Sequence, residues 1–381
     1  MRKTAIAILA LSGLLASTGA AAAAPARSVL QRDTDALVDQ GAPGALVEMA
    51  TPDGNVKARS GYGDTAAKTP VPLDARFRIG SATKMFTATL VLQLVGEGKL
   101  SLEDTVEHWL PGVVSGNGND GRKITVRQLL QHTAGLPDYA AGLDGLKSAA
   151  GFRADRFRTF ADRELVALAM KSPPSFAPGT DWEYSNTGYL LAGMIIGKVT
   201  GHDWQHEAQR RIIAPLGLHD TFAPHGFPFL PSPHPSAYQQ FAPGEPTVDV
   251  TVMSPSWAGA AGAIISTTAD LNTFLRALMS GKLLRPAELK QMQTTVPAHR
   301  FDRAFPGLRY GLGLMWLPTS CGGYWTHGGD IPGFKTRDGV SADGKRSVVV
   351  TLNSDSLTPK KDVPPSPHDV SLPLLEHAFC G

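Results

Sequence analysis

The most chemically suggestive pair in this sequence is a serine followed three residues later by a lysine, Ser81 and Lys84. The apolar spacing after Ser81 predicts a helix, and residues i and i+3 of a helix share one face, so the amine can reach the hydroxyl. A serine becomes a nucleophile when a base takes its proton, and a partly desolvated lysine with a lowered pKa can be that base. The spacing indicates acyl transfer through Ser81, although a serine that only caps a helix gives the same pattern.

Two further short motifs carry side chains suited to the same chemistry. Tyr184 and Asn186 stand two residues apart on an extended loop before a predicted helix, so both point to one side. A phenol can share protons with a lysine, and a carboxamide can bond a substrate amide. His327 ends a predicted strand before Gly328 and Gly329, which let a substrate backbone approach the strand edge. Taken singly, the motifs also fit a buried aromatic with a turn asparagine, and a strand that ends in a glycine turn.

The elements that must position these motifs are strands at both ends of the chain and helices between them. Strand patterns cover residues 45–50, 56–61, 76–79, 323–327, 334–341 and 346–352, and helical patterns cover 28–40, the stretch after Ser81, 125–132, 163–171, 187–200, 203–214, 268–279, 286–293 and 370–379. Short turns between the last strands imply antiparallel pairing. We therefore expect an α/β (α+β) fold with an antiparallel sheet flanked by helices (about 28–80 and 255–381) and a mostly helical domain (about 85–250).

Composition and charge indicate a globular protein and give no sign of a nucleic-acid-binding one. Hydrophobic residues make up 42% of the 381 residues and charged residues 18%, which allows a large core. The formal net charge of +2 gives no reason to expect a nucleic acid or a strongly anionic partner. His206-Glu207 lacks the second histidine of a zinc helix, so we expect no metal. We expect a monomer that acts on a peptide or small molecule without a cofactor.

The N-terminus has the pattern of a signal peptide. Arg2 and Lys3 supply the positive charge, residues 5–15 are nearly all apolar, and residues 20–24 offer small-residue cleavage sites. The apolar run is short for a membrane span, so we predict that residues 1–24 are removed from a secreted protein, a retained anchor being the alternative. No second stretch is long and apolar enough to span a bilayer.

Two cysteines remain in the predicted mature chain, residues 25–381. They are Cys321 and Cys380. An even count in an oxidising compartment favours one disulfide, which would tie down the C-terminus, and two free buried thiols are the alternative.

Together, the three motifs occur in the order Ser-x-x-Lys, Tyr-x-Asn, His-x-Gly, and with them the chain resembles the serine β-lactamase and penicillin-binding-protein superfamily. The resemblance runs from about Gly41 to Gly381. It lies on the branch of the class C β-lactamases and is closest to the secreted D-alanyl-D-alanine carboxypeptidases, whose cysteine pair falls where Cys321 and Cys380 do. Further matching segments are FRIGSATK, ITVRQLLQHTAGL, YSNTGYLLAGMIIGKVTGH, SWAGAAGAIISTTADL, YGLGL and ADGKRSVVV.

The resemblance implies a catalytic role for each motif residue. Ser81 attacks the scissile carbonyl, Lys84 accepts its proton, and Tyr184 relays a proton to the leaving amine. Asn186 holds the amide on the acyl side. His327 stands where β-lactamases carry lysine and is expected to bond and polarise Tyr184.

The resemblance also implies a binding surface around the serine. The backbone N–H groups of Ser81 and Asp330 form the oxyanion hole, and Gly329 lets the substrate approach between them. Trp257 is expected as a wall of the substrate pocket, a core aromatic being the alternative.

Three positions depart from the carboxypeptidase pattern. Where those enzymes hold the substrate's terminal carboxylate with an arginine and two threonines, this chain has Met315, Gly328 and Asp330. A substrate carboxylate facing Asp330 would bind less well than at the cationic site. Our hypothesis is therefore that the enzyme does not depend on a free carboxylate, unless Lys335 or Arg337 reaches the site and restores the lost charge.

The reaction itself stays open at this point among several members of the superfamily. A carboxypeptidase-like enzyme would act on a D-amino-acid peptide bond, as in a peptidoglycan stem peptide; a D-stereospecific aminopeptidase, amidase or esterase would need no free carboxylate. A β-lactamase usually carries lysine at the position of His327, and a non-catalytic penicillin-binding module would be acylated without turnover. A Ser-His-Asp hydrolase is disfavoured because no G-x-S-x-G occurs.

Overall fold

The computed structural model describes residues 23–381, with side chains from residue 29 onward, so the predicted signal peptide lies outside the described residues apart from its last two positions. The helices are α1 (Ala23–Asp39), α2 (Thr83–Gly96), α3 (Val106–Trp109), α4 (Val126–Gln131), α5 (Ala149–Asp155), α6 (Asp162–Ala169), α7 (Asn186–Thr200), α8 (Trp204–Ala208), α9 (Ala214–Leu216), α10 (Gly259–Gly262), α11 (Thr268–Met279), α12 (Pro286–Met292) and α13 (Leu372–Cys380).

The strands are mostly short, and the long ones lie at the two ends of the chain. They are β1 (Gly44–Thr51), β2 (Gly54–Gly61), β3 (Phe77–Arg78), β4 (Ser115–Gly116), β5 (Asn119–Asp120), β6 (Tyr238–Gln239), β7 (Val248–Asp249), β8 (Ile265–Ser266), β9 (Val296–Pro297), β10 (Arg309–Tyr310), β11 (Met315–Thr319), β12 (Gly322–Thr326), β13 (Gly329–Ile331), β14 (Phe334–Val340) and β15 (Ser347–Leu352).

One large sheet joins the two ends of the chain. Its order is β2-β1-β15-β14-β12-β11-β10-β9, with β13 also paired to β14, and its pairs are antiparallel. Strand β1 lies beside β15, so the N-terminal hairpin completes a sheet begun by the C-terminal strands. This mixed architecture, an antiparallel sheet with helices around it, confirms the predicted fold class.

Helices cover both faces of the sheet. Along β15, Val348 and Val350 belong to a core shared with Leu375 of α13, whereas Val349 belongs to a second core shared with Phe86 of α2. This alternation is the period of two expected for a strand buried on both sides. The second core continues into the helical part of the chain through α11, which packs against β1, β14 and β15 and whose Phe274 stacks on Phe86 of α2. The division into two subdomains at the predicted boundaries stays a prediction.

Several short elements were not expected from the sequence. Strands β9, β10 and β11 extend the sheet beyond β12, and β13 lies between the two predicted strands at 323–327 and 334–341. The predicted helix at 203–214 is interrupted by a π-helical turn at Gln209–Ile213, and the proline-rich loop at 222–246 contains β6.

The C-terminal helix is covalently attached to the sheet. Cys321, in the turn between β11 and β12, forms a disulfide bond with Cys380 at the end of α13, as predicted. Within residues 23–381, no helix is long and apolar enough to cross a membrane.

Candidate active site

Ser81 lies in a single 3₁₀ turn, Gly80–Ala82, that leads directly into α2. Gly80 has a φ of +54°, a conformation that favours glycine, and a Cβ there would come within 3.1 Å of the Asp330 nitrogen. Lys84 is in the first turn of α2, and its Nζ lies 3.0 Å from Ser81 Oγ. The predicted i,i+3 geometry therefore brings amine and hydroxyl into hydrogen-bonding contact.

Lys84 is completely buried, and its ammonium group is surrounded by acceptors. Besides Ser81, its Nζ donates to Asn186 Oδ1 at 2.8 Å and to the carbonyl of Ala261 at 2.7 Å. Burial lowers the pKa of Lys84 to about 7, although the negative charge of Asp138 opposes the shift. A substantial fraction of Lys84 is therefore neutral near pH 7 and able to accept the proton of Ser81.

Asn186 is the first residue of α7, and Asp138 fixes its orientation. The carboxylate oxygen Oδ2 of Asp138 accepts from Asn186 Nδ2 at 2.9 Å and from its backbone nitrogen at 3.2 Å. Because a carboxylate only accepts, the amide nitrogen must face Asp138 and the amide oxygen must face Lys84. No role for Asp138 was predicted from the sequence, although Asp138 directly follows the HTAGL segment and the proline after it.

Tyr184 reaches the site from the loop that precedes α7. Its ring centroid lies 4.3 Å from that of His132 and 5.5 Å from that of Phe301, and the Lys84 Nζ lies 4.8 Å from it. Burial raises the pKa of Tyr184 well above its usual value, and a hydrogen bond with Ser81 opposes the rise. The phenol is therefore protonated at neutral pH and can donate a proton beside the serine.

His327 does not make the hydrogen bond expected of it. Its Nε2 is paired with the hydroxyl of Tyr310 at 2.7 Å, and its ring centroid lies 6.3 Å from that of Tyr184, so the expected direct bond to Tyr184 is wrong. Burial, assisted by the charge of Lys84, lowers the pKa of His327 to about 3. The imidazole is neutral at physiological pH. Tyr310 opens the YGLGL segment, but its hydroxyl role had no signal in the sequence.

Strand β13 runs directly past the serine. A Cβ on Gly329 would lie 2.0 Å from the Ile79 carbonyl and 2.7 Å from the Ser81 nitrogen, which only a glycine avoids. This approach brings the backbone of Asp330 beside the turn that carries Ser81. That the backbone N–H groups of Ser81 and Asp330 form an oxyanion hole stays a prediction.

Ser81 lies between two cavities of unequal size. The larger, about 410 Å³, is bordered by Tyr184 and His327 and has an apolar wall that includes Phe301, Phe305, Leu308, Met315, Leu317 and Leu375. The smaller, about 40 Å³, is bordered by Asn186 and Trp257, so Trp257 stands at the site rather than in the interior of the core. Among the residues that the structure describes, no group of histidine, cysteine and acidic side chains is arranged to hold a metal ion.

Four charged side chains border the larger cavity, and a fifth, Asp355, is paired with one of them. Arg337 donates to Asp330 at 2.7 Å and to Asp369 at 2.7 Å, and Lys335 lies 3.1 Å from Asp330 and 3.4 Å from Asp355. Arg337 and Asp369 are buried, whereas Asp330 is half-exposed to the cavity. Both cations that were considered as substitutes for the missing carboxylate clamp therefore reach the site, but both are already paired.

Known proteins are similar to this chain in sequence and in fold. The family model described as Beta-lactamase matches residues 28–366. Among solved structures, a D-stereospecific amidohydrolase from a Streptomyces species is 41% identical with a TM-score of 0.85, covering 93% of this chain and 99% of that one. A D-amino acid amidase from Ochrobactrum anthropi SV3 is 30% identical with a TM-score of 0.74, covering 86% and 91%.

The curated relatives carry the name of the penicillin-binding proteins. Penicillin-binding protein 4* of Bacillus subtilis is 26% identical over 312 residues, which are 78% of this chain and 65% of that protein. Penicillin-binding protein 4 of Amycolatopsis lactamdurans is 31% identical over 250 residues, or 65% of this chain and 62% of that one. The chain thus spans a little under two thirds of the length of these relatives. With a family match over most of its length, the chain belongs to the β-lactamase family, within the β-lactamase and penicillin-binding-protein superfamily.

Proposed function

We propose that this protein is a D-stereospecific amidohydrolase that cleaves amide or ester bonds on the carboxyl side of a D-amino acid and needs no free carboxylate on the leaving group. The observation that carries the proposal is that Lys335 and Arg337, the two cations bordering the larger cavity, are already paired with three carboxylates. Two cations against three carboxylates leave a net charge of −1 at neutral pH, if all three carboxylates are ionised.

The orientation of the substrate follows from the position of Tyr184. The leaving nitrogen must receive a proton, and Tyr184 is the protonated group beside Ser81 on the side of the larger cavity. The leaving group therefore occupies that cavity. The D-residue occupies the smaller cavity beside Trp257, where Asn186 can bond its amide.

The reaction proceeds through an acyl-enzyme. Ser81 Oγ attacks the carbonyl carbon while neutral Lys84 takes its proton, and the N–H groups of Ser81 and Asp330 stabilise the oxyanion. The proton returns through Tyr184 to the leaving nitrogen as the C–N bond breaks. Water then attacks the ester with the same groups acting in reverse, which releases the acid and restores Ser81.

Electrostatics argue against a leaving group that ends in a carboxylate. Such a group would meet Asp330 and Asp369, and it would have to displace one of them from Arg337 before it gained a cation of its own. Met315, which replaces the arginine of the carboxypeptidases, offers a thioether and no charge. An amide, an ester or an ammonium-bearing leaving group avoids this repulsion.

The comparisons support the same reading. The two structural relatives with 41% and 30% identity are named for D-stereospecific amidohydrolase and D-amino acid amidase activity. The amidase has been solved with D-phenylalanine, at 30% identity and a TM-score of 0.75.

The test is a substrate pair that differs only at the leaving group. We expect kcat/KM to be higher for the C-terminal amide of a D-Ala-D-Ala peptide than for its free acid, and higher for D-amino-acid amides than for their L-enantiomers. Ser81→Ala serves as the blank. A strong preference for the free acid, or for the L-series, would overturn the proposal.

A second candidate activity is acylation by β-lactams, because the curated relatives are named penicillin-binding proteins. Nitrocefin separates the possibilities: turnover indicates a β-lactamase, and a stoichiometric burst indicates penicillin binding. Neither outcome is required by the amidohydrolase proposal.

We further propose that the protein is exported and that residues 1–24 are removed. The disulfide between Cys321 and Cys380 supports an oxidising compartment. N-terminal sequencing of protein recovered from the culture medium tests this; an intact Met1 in cell-associated protein would contradict it.

A further inference from the structure

A chain of hydrogen bonds crosses the interior behind the candidate active site. The backbone N–H of Ser185 donates to His132 Nδ1 at 3.2 Å, and His132 Nε2 lies 3.0 Å from the hydroxyl of Tyr310. That hydroxyl lies 2.7 Å from His327 Nε2, and His327 Nδ1 lies 2.8 Å from the carbonyl of Gly328. None of the motif roles described above uses His132 or Tyr310.

The groups at the two ends of this hydrogen-bond chain determine where each of its protons lies. The amide of Ser185 can only donate, so Nδ1 of a neutral His132 is the acceptor and Nε2 carries the proton. The carbonyl of Gly328 can only accept, so His327 carries its proton on Nδ1 and Nε2 is the acceptor. Tyr310 then accepts from His132 and donates to His327. Both end groups require the hydrogen bonds to run in the same donor-to-acceptor direction. Only one arrangement of protons is therefore possible while both histidines are neutral.

Both histidines are held neutral by their surroundings. His132 and His327 are 2% and 1% exposed, and burial lowers the pKa of each well below its usual value. Lys84 faces both rings, and its charge further disfavours a second cation.

The chain connects the two segments that carry the reacting groups. At one end, Ser185 lies between Tyr184 and Asn186; at the other, Gly328 lies two residues before Asp330. The rings of the chain also enclose Tyr184, whose centroid is 4.3 Å from His132, 6.3 Å from His327 and 6.5 Å from Tyr310. Any shift of one ring would move either the phenol or the oxyanion segment.

We propose that His132 and Tyr310 are positioning residues for the hydrolytic reaction, which hold His327 as the neutral Nδ1–H tautomer and set the distance between the Tyr184 hydroxyl and the Asp330 backbone. His327 accordingly acts as a fixed hydrogen-bonding group and not as a proton-transfer group. This inference rests on the proposed hydrolase activity only for its kinetic consequence. The tautomers of His132 and His327 are a property of the protein without substrate, so they can be measured whether or not the protein is a hydrolase.

The first experiment reads the tautomers directly in the full chain. Long-range ¹H–¹⁵N spectra of the protein with ¹⁵N-labelled histidine distinguish Nδ1–H from Nε2–H rings, and the His327→Gln and His132→Gln variants assign the two signals. We expect Nδ1–H for His327 and Nε2–H for His132. An Nε2–H or doubly protonated His327 at pH 7 would overturn the proposal whether or not the protein hydrolyses D-amino-acid amides.

The second experiment removes one hydroxyl group from the hydrogen-bond chain. Tyr310→Phe keeps the ring but leaves His327 Nε2 without a donor, and we expect kcat to fall about tenfold or more with KM within about threefold, because small displacements of reacting groups cost rate rather than binding. Tyr238→Phe is the matched control, since Tyr238 is also buried, its hydroxyl accepts from the Thr65 amide, and it borders neither cavity.

The melting temperature of each variant separates positioning from general loss of stability. A Tyr310→Phe protein with an unchanged kcat refutes the positioning role, as does a loss of kcat that Tyr238→Phe reproduces. If Tyr310→Phe does not fold, the tautomers of the unaltered protein still decide the question.

Discussion

Lys84 combines a large desolvation with three hydrogen-bond acceptors, and this combination decides its protonation state. Its contacts with Ser81, Asn186 and Ala261 favour the ammonium, but complete burial disfavours it more, and the pKa falls to about 7. Asp138 keeps the pKa from falling further through its negative charge. Near pH 7, Lys84 is therefore present in both its neutral and its charged form.

The pKa of Lys84 should appear in the pH dependence of the reaction. Because only the neutral amine can accept the serine proton, we expect kcat/KM to rise with pH along an acid limb centred near pH 7. Lys84→Arg, whose guanidinium stays charged, should lower kcat/KM by about a hundredfold or more at all pH values and abolish the limb. An acid limb centred well below pH 6 in the unaltered enzyme would contradict this assignment.

Trp257 should limit the size of the D-residue. Its side chain borders the small cavity beside Ser81, where about 40 Å³ is free. We expect Trp257→Ala to raise kcat/KM for D-phenylalanine amide relative to D-alanine amide, since removal of the indole enlarges this cavity. Trp109→Ala is the control, because Trp109 borders neither cavity. An unchanged ratio in Trp257→Ala would place the D-residue elsewhere.

The residues that the sequence predicted and those that it missed differ in how they are linked to the serine. Lys84 follows from helical spacing alone, because both residues lie on one local element. Asp138, His132 and Tyr310 act through contacts between segments that are 48 and 178 residues apart in sequence. The helical or strand periodicity of a sequence gives no information on contacts between such distant segments, so the folded structure is needed to find them.

At the scale of elements, the close approach of β13 to the Ser81 turn determines the site. Among the described strands, β13 pairs with β14 alone, and its other side faces the Ser81 turn because Gly329 has no side chain to prevent contact. The sequence suggested the glycines but not the strand, since three residues are too few to show alternation. The two-residue strand β10 was unpredictable for the same reason, whereas β1, β14 and β15 were long enough to be recognised.

Helix α13 forms part of the larger cavity and depends on its disulfide. Leu375 of α13 lines that cavity, and the bond between Cys321 and Cys380 closes a loop with a sequence separation of 59 residues. Replacing both cysteines by serine should lower the free energy of unfolding by up to about 4 kcal/mol, the chain-entropy value for such a loop. Urea unfolding under non-reducing conditions measures the change. Unchanged unfolding midpoints, with the unaltered protein confirmed as oxidised, would refute this contribution.

At the scale of the whole molecule, the site lies where several distant parts of the chain meet. Arg337 of β14 connects the centre of the sheet to Asp330 beside the serine and to Asp369 in the segment before α13. Its guanidinium also lies 5.5 Å from the ring centroid of Phe305 in the cavity wall. One buried cation therefore joins the sheet, the oxyanion segment, the C-terminal segment and the substrate cavity.

This central position predicts a stability that depends on pH in a specific direction. Arg337 and Asp369 are each 7% exposed, so Arg337→Met leaves a buried carboxylate without its cationic partner and should cost about 3–5 kcal/mol at pH 7. In the unaltered protein the guanidinium lowers the pKa of Asp369, and the stability gained from this pair is present above the usual aspartate pKa and lost as the pH falls below it.

In Arg337→Met, the pKa of Asp369 should shift in the opposite direction, upward. Without Arg337, burial raises the pKa of Asp369, so the carboxyl group takes up a proton in mildly acidic solution and no longer carries an unpaired charge. The stability difference between Arg337→Met and the unaltered protein should therefore be large at pH 7 and smaller at pH 4.5, as measured by urea unfolding. Lys345→Met removes a lysine from an exposed ion pair with Asp343 and should show no such change. A difference that stays constant between the two pH values would mean that Arg337 acts through packing against Phe305 and not through its charge.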